Sequence, residues 1–545
     1  MIEVCNFILN QNQCFYLAQK LEEIIKNIQG IFSHIGELPN TFDLLLKELL
    51  QIIEKAKLLV EQCCSEKWYH AALLQINNEE AFEDLFMDLE HCYDDMCQHA
   101  KDQWGEKMEV CFDYHQVNFL PSTKRLKLVN DDKHALMRKL EATIGTSQPL
   151  HVNNNFEEEF KIAVHLLKRF KIPTNFAIDD VSHFEGWGRM DPIGQGQLGV
   201  VQKTSWFGFP CAKKVQMWDE SRNGTDKIFK NEVAILASAN HPNIVKFIGC
   251  GLNPKECTSF ISMELMETNL GNLIQELSKN GKKLPFAIHV AMDIILQIAK
   301  GMSYLHKNNI AHRDLKPTNV LVNRFAVDDL GNDNHVIVKL ADFGLSKMNV
   351  NGYTSDHLSQ GVGTKSYKAP ELFQKGKMDK RKVDKVNAHQ ADVYSFGIMC
   401  STILSGHDPF TSTENFLARL RSGERPRLPD NCPERLVSLI QDCWLLDRTK
   451  RPNFEEICKI LRDLKSFALK TKNVNSCPEA RKKNSIFDWI IKLLQYVAYI
   501  RNYFWRISNL EAIDRVDSSQ SQQTRQTLPK VTTQILSSSS IESIP

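Results

Sequence analysis

Between residues 11 and 103 apolar side chains recur every 3.6 residues, which leaves this part of the chain few folds to choose from. Cys14, Leu17, Leu21, Ile24 and Ile28 form one stripe, and Phe42, Leu45, Leu46, Leu49, Ile53, Ala56 and Val60 a second. Phe82, Leu85, Phe86 and Leu89 begin a third, extended by Tyr93 and Met96. Each stripe is one face of a helix, and such faces are stable only when buried against one another. The expectation is an all-α bundle of about four helices over residues 1–104. Gly30, Gly36 and Pro39 punctuate its first junction and Asn77-Asn78 its last. The Asp and Glu residues on the other face of the final helix read as a solvated surface.

The periodicity weakens over 105–185, where a helix at Phe156–Phe170, ending before Pro173, suggests a linker or brace. Strands and then helices follow over 186–466, with a linker at 467–484, an amphipathic helix at 485–508 and a Ser-, Gln- and Thr-rich tail at 509–545. That tail has too little apolar surface to offset the entropy of ordering and reads as disordered. With 545 residues, two or three domains are expected. Lys plus Arg (67) nearly cancels Asp plus Glu (66), so no overall field favours nucleic acid. The 15 cysteines are irregularly spaced, and the first ten residues carry Glu3 and no basic group. That pattern suits free thiols in a cytoplasmic protein without an export signal. His91, Cys92, Cys97 and His99 fall at helical offsets that do not converge as zinc ligands do.

The chemistry-bearing residues lie between 194 and 371. Gly194-Gln195-Gly196-Gln-Leu-Gly199-Val-Val201 fits a glycine-rich hairpin whose backbone N–H groups can approach phosphates. Ala212-Lys213-Lys214 follows on a strand. Alternation puts Ala212 and Lys214 on one face and Lys213 on the other, and the A-x-K form of the motif selects Lys214 to reach phosphates and leaves Lys213 as an exposed strand lysine. Glu232 stands where the next helix would supply a carboxylate for Lys214. His312-Arg313-Asp314-Leu-Lys316-Pro-Thr-Asn319 offers Asp314 to accept a hydroxyl proton, with Lys316 beside it, and Asn319 as a magnesium ligand. Asp342-Phe343-Gly344, after a strand at Val336–Leu340, offers Asp342 as another, and Ala369-Pro370-Glu371 closes the segment.

In this order and spacing, residues 190–466 resemble the protein-kinase family throughout. The resemblance implies an α+β, two-lobed protein-kinase fold behind the helical bundle, using ATP and Mg2+ and acting on a protein hydroxyl. It makes Met263 the gatekeeper and Glu264 to Met266 the adenine hinge, with Val201 and Ala212 lining the nucleotide. Asp392-Val-Tyr-Ser-Phe-Gly397 resembles the family's anchor for the catalytic loop, and Arg451 its partner for Glu371. Trp206-Phe-Gly208 and Cys443-Trp444 are most similar to the tyrosine-kinase-like group, while Lys316 and Gly363-Thr364 resemble the serine/threonine signature. Residues 10–100, through Val60 to Trp68 and Phe82 to Phe86, are similar to the helical domain of plant mixed-lineage-kinase-domain-like proteins. Many of those are pseudokinases, a pattern from which Lys214, Asp314 and Asp342 depart.

Two readings of function follow. One is an active serine/threonine kinase in signalling, regulated by the bundle. The other is a switch whose bundle self-associates or acts on membranes while the kinase domain binds nucleotide. Phosphorylation at Thr354, Ser355 or Ser359 would place a phosphate near Arg313 and order the segment. In 485–508, Asp488, Lys492, Gln495, Tyr499, Asn502 and Arg506 make a narrow polar stripe, with Arg481-Lys482-Lys483 upstream. This helix suits packing on the protein or peripheral contact with an anionic membrane.

Overall fold

The computed structural model describes residues 8–34, 40–65, 67–75, 78–104, 117–145, 154–171, 184–185, 192–196, 199–217, 223–253, 257–279, 284–325, 335–348, 365–373, 388–410 and 416–471. The expected acceptors Thr354, Ser355 and Ser359, the helix at 485–508 and the tail lie outside them. The fold is α+β, a two-lobed kinase domain preceded by a largely helical region.

Helices α1 (Gln11–His34), α2 (Asn40–Cys63), α3 (Trp68–Gln75) and α4 (Glu79–Trp104) open the chain. Leu17, Leu21, Ile24, Leu49, Ile53, Phe82, Phe86 and Leu89 are buried in one apolar core. Two further helices, α5 (Ser122–Gly145) and α6 (Asn154–Lys171), join that core through Leu136, Leu140, Ile162 and Leu166. The weak pattern over 105–185 had suggested only the second of these. The buried face of α5 is Val129, Asp132, Leu136, Leu140 and Thr143, so two polar members break its apolar stripe. Asp132 has a structural use there. Its carboxylate accepts from the N–H groups of Asn12 (2.9 Å) and Gln13 (3.2 Å) at the start of α1.

The sheet lobe is antiparallel, ordered β1-β3-β4-β6-β5 with β2 on β3: β1 (Phe184–Glu185), β2 (Pro192–Gly196), β3 (Gly199–Trp206), β4 (Phe209–Met217), β5 (Phe247–Asn253) and β6 (Thr258–Glu264). Helix α7 (Asn223–Ser238) follows β4. The other lobe is built on α9 (Ile288–Lys307), with α8 (Leu270–Lys279) before it. α10 (Ala388–Ser405), α11 (Phe416–Arg421), α12 (Glu434–Cys443) and α13 (Phe454–Thr471) follow. A small sheet orders β10 (His335–Leu340), β9 (Val320–Phe325) and β7 (Thr268–Asn269), and β8 (Ile310–Ala311) pairs with β11 (Lys347–Met348).

The helical region packs on both lobes. Trp206, Phe207, Phe209, Ile248 and Phe260 of the sheet lobe belong to the core of the helical region. Ring nitrogens of His70 and His165 meet the carbonyls of Phe207 (3.0 Å) and Ile248 (2.9 Å). On the other lobe, Lys55 of α2 donates to Asp293 (2.9 Å), and Lys300 of α9 donates to Asp88 of α4 (2.8 Å).

This packing corrects two expectations. Lys213 is not an exposed strand lysine: the helical region covers its face of the sheet, and its ammonium lies buried 4.3 Å from the Phe260 ring centroid. Nor is the acidic face of α4 merely solvated, because Asp84 and Asp88 turn toward Lys300 and Arg462 of the kinase domain. Among the described residues no group of His, Cys, Asp and Glu is placed to hold a metal ion by itself, and no helix is long and apolar enough to cross a membrane.

Candidate active site

The glycine-rich hairpin pairs Gly196 with Gly199 and Val201 with Lys214. Gly199 has φ +153°, and a Cβ there would lie 2.3 Å from the Val215 carbonyl oxygen. Backbone of the next strand leaves no room for a side chain. Gly199→Ala is expected to cost about 2 kcal/mol of stability, read as a lower urea midpoint; an unchanged midpoint would show that β3 and β4 can separate freely here.

Ala212 pairs with the buried Met263 across β4 and β6, and Met266 is buried just beyond. Glu264 uses its N–H on the Lys246 carbonyl (2.9 Å) and its carboxylate on the Lys246 N–H (2.6 Å) and the Lys339 ammonium (2.8 Å). Lys214 Nζ donates to Glu232 Oε1 (2.6 Å) from α7 and to Asp342 Oδ1 (2.9 Å). Burial alone would lower the amine's pKa, but the two carboxylates outweigh it and hold the ammonium protonated. Burial likewise opposes ionisation of Asp342, and the Lys214 charge overcomes it, keeping the carboxyl below its usual range.

Arg313 (φ 69°) and Asp342 (φ 63°) both adopt the left-handed conformation that side chains disfavour. The strain at Arg313 is held by Asp392, which is wholly buried at the start of α10. Its carboxylate accepts from the N–H groups of His312 (2.8 Å) and Arg313 (2.7 Å) and lies 3.0 Å from His306 Nε2. Burial would raise the Asp392 pKa; the bond and charge of His306 bring it below the ordinary value. On the loop so fixed, Asp314 Oδ2 receives Lys316 Nζ (2.8 Å) and Asn319 Nδ2 (3.0 Å). Arg451 donates to both oxygens of Glu371 (2.7 and 3.0 Å) and to the Gln390 carbonyl (2.8 Å), tying the end of that segment to the helical lobe.

The donor set suits magnesium. Asn319 commits its N–H groups to Asp314 and Asp342 commits Oδ1 to Lys214, leaving Asn319 Oδ1 and Asp342 Oδ2 as hard oxygen ligands. Lys368 was missed in the sequence. Its amine lies beside Arg313 and Asp314, with its pKa lowered by burial and then by the Arg313 charge. Its place just before Ala369-Pro370 is the signal the sequence offers for it. Also missed was the tie from α7 to the loop after Asp342: Asn231 Nδ2 donates to the Ser346 carbonyl (2.7 Å), and Ser346 Oγ to the His312 carbonyl (3.0 Å).

A glycine hairpin over a lysine–carboxylate pair, facing a loop that carries an aspartate and an asparagine, defines a protein-kinase catalytic domain. Residues 189–461, half of the chain, match the protein tyrosine and serine/threonine kinase family, and the chain belongs to that family. It is 32% identical over 502 residues to a light-sensor protein kinase of Ceratodon purpureus, covering 84% of this chain and 36% of that protein. Over 299 residues it is 32% identical to the serine/threonine-protein kinase STY46 of Arabidopsis thaliana, covering 54% of this chain and 46% of the relative. Over 283 residues it is 31% identical to a Raf homolog serine/threonine-protein kinase of Caenorhabditis elegans, covering 50% and 32%. The chain thus spans less than half the length of each of these relatives.

Proposed function

We propose that this protein is a serine/threonine protein kinase of intracellular signalling, dependent on ATP and magnesium, whose activity is set by its helical region. The observation that carries the reading is the engagement of Lys214 with both Glu232 and Asp342 while Asp314 stands between Lys316 and Asn319. Lys214 orients the α- and β-phosphates, and Asp314 accepts the proton of the attacking protein hydroxyl. Lys316 offsets negative charge on the transferring group. Magnesium held by Asp342 and Asn319 neutralises charge on the phosphates when bound. Phosphoryl transfer needs positioning above all, and these side chains are positioned before any substrate arrives.

The preference for serine and threonine rests on Lys316 and on the names of the relatives. Regulation by the helical region is supported by its contacts with both lobes, since an element bonded to Phe207 and to Asp293 restrains their relative motion. A domain that only binds nucleotide would have no use for the Asp314–Lys316 pair.

The test is transfer from γ-labelled ATP to a mixed protein substrate, followed by phosphoamino-acid analysis. Label on serine and threonine that disappears when magnesium is chelated is expected. Label on tyrosine alone would overturn the substrate class, and no transfer from a protein that binds ATP would overturn the enzyme.

A further inference from the structure

Glu232 meets Lys214 with one oxygen only. Its Oε1 receives Lys214 Nζ at 2.6 Å, while Oε2 is buried with no hydrogen-bond partner among the described residues. Burial pushes the Glu232 carboxyl above its ordinary pKa even though the Lys214 charge opposes it. A buried ion pair satisfied on one side offsets little more than its own desolvation, so it anchors its helix poorly. The inward position of α7 needs a second hold.

That hold is one residue earlier. Asn231 is half-buried, and its Nδ2 donates to the Ser346 carbonyl at 2.7 Å. Ser346 lies between the turn after Asp342 and β11, and its other polar groups are engaged as well. Its N–H donates to the Phe343 carbonyl (3.0 Å) and its Oγ to the His312 carbonyl (3.0 Å). Beside it, Lys347 and Met348 of β11 pair with Ala311 and Ile310 of β8. The direction of the Ser346 carbonyl is therefore fixed, and an amide donor on α7 can reach it from one place only.

Three parts of the site converge on this serine. Asn231 brings the helix that carries Glu232, the Phe343 carbonyl brings the loop that carries Asp342, and the His312 carbonyl brings the loop that carries Asp314. A neutral amide on a carbonyl buries no charge, so its contribution is net favourable where that of the one-sided ion pair is small.

We infer that Asn231 is a positioning residue for phosphate transfer: its amide holds α7 where Glu232 meets Lys214, on condition that the segment after Asp342 keeps Ser346 in place. Asn231 acts through Glu232 and Lys214 and touches no reacting atom. The inference rests on the kinase reading and adds a condition to it, since any change that moves Ser346 releases α7.

The test uses the full chain with Asn231→Ala and Asn231→Asp, each alone and combined with Glu232→Gln. Alanine removes the donor while favouring the helix, and aspartate sets an acceptor oxygen against the carbonyl. Asn231→Ala should lower kcat about tenfold and Asn231→Asp more, with KM for ATP changed less than about threefold. With Glu232→Gln already present, either change should lower kcat by less than about twofold, because the pair through which Asn231 acts is gone. A residue that only supports the fold would give the same factor in both backgrounds. That result would overturn the inference, as would kcat within about twofold of the unaltered protein in both single variants. If Asn231→Asp does not fold, Asn231→Ala decides alone. The unaltered protein's own transfer tests the kinase reading separately. Should it transfer nothing, hydrogen exchange decides the tie: amides of 228–238 and 345–348 should exchange at least about tenfold faster in Asn231→Ala, and equal rates overturn the inference.

Discussion

Asp314→Asn is expected to lower the rate of phosphate transfer by about 10²–10⁴-fold, the range for removing a positioned general base. Oδ1 and Oδ2 of Asp314 differ from an asparagine's terminal atoms by little in shape, so the loop should keep its form. Its anchors are elsewhere: Asp392 holds the His312 and Arg313 N–H groups, and Ser346 holds the His312 carbonyl. What the variant loses is a carboxylate that can take a proton and that balances the Lys316 ammonium 2.8 Å away. On the proposed reading ATP is held by the glycine hairpin, Lys214 and the hinge instead, so its affinity should change by less than a factor of about three. Single-turnover transfer measured beside equilibrium ATP binding separates the two. A transfer rate within about tenfold of the unaltered protein would remove Asp314 from the base role.

The residues of this site were legible in the sequence for a chemical reason. The roles proposed for them, in binding phosphate, holding magnesium and accepting a proton, each demand a particular side chain, so Gly194, Lys214, Asp314, Asn319 and Asp342 stand out as short local patterns. Alternation along β4, together with the A-x-K form of the motif, sufficed to prefer Lys214 over Lys213. It did not suffice for the environment of Lys213, because a strand says which side a residue faces and not what covers that side. The helical region covers it, and that contact joins residues far apart in sequence. The same limit hid α5, whose buried face includes Asp132 and Thr143. Apolar periodicity cannot register a carboxylate buried to cap another helix. The acidic face of α4 misled for the same reason: Asp84 and Asp88 look solvated until Lys300, more than two hundred positions away, is brought against them.

That last contact carries the other large effect. Lys300→Met is expected to destabilise the protein by about 3–5 kcal/mol, as removal of one member of a buried ion pair does. Lys300 is 8% exposed in its side chain and reaches Asp88 at 2.8 Å and Asp84 at 3.8 Å. Its loss leaves two carboxylates in the seam with Lys55 and Arg462 (3.8 Å from Asp88) as the other cations that act on them. The pair's own net contribution is smaller than this loss, so Lys300→Met combined with Asp88→Leu should recover much of the stability. The pH dependence gives an independent check. Burial opposes ionisation of Asp88, but Lys300 outweighs it and holds the carboxyl below its ordinary value in the folded protein. A depressed folded pKa contributes stability that is present above the unfolded value of about 4 and lost as pH falls through the folded one. Without Lys300 only Lys55 and Arg462 oppose the same burial, so the folded pKa of Asp88 should rise and acid unfolding begin at higher pH. Urea midpoints for the single and double variants, measured from neutral pH downward, test both statements. A single variant within about 1 kcal/mol of the parent, with no shift in its acid limb, would mean that the contact is a solvent-screened surface pair. The hold of the helical region on the second lobe would then rest on the Lys55–Asp293 (2.9 Å) and Glu48–Lys465 (3.3 Å) contacts.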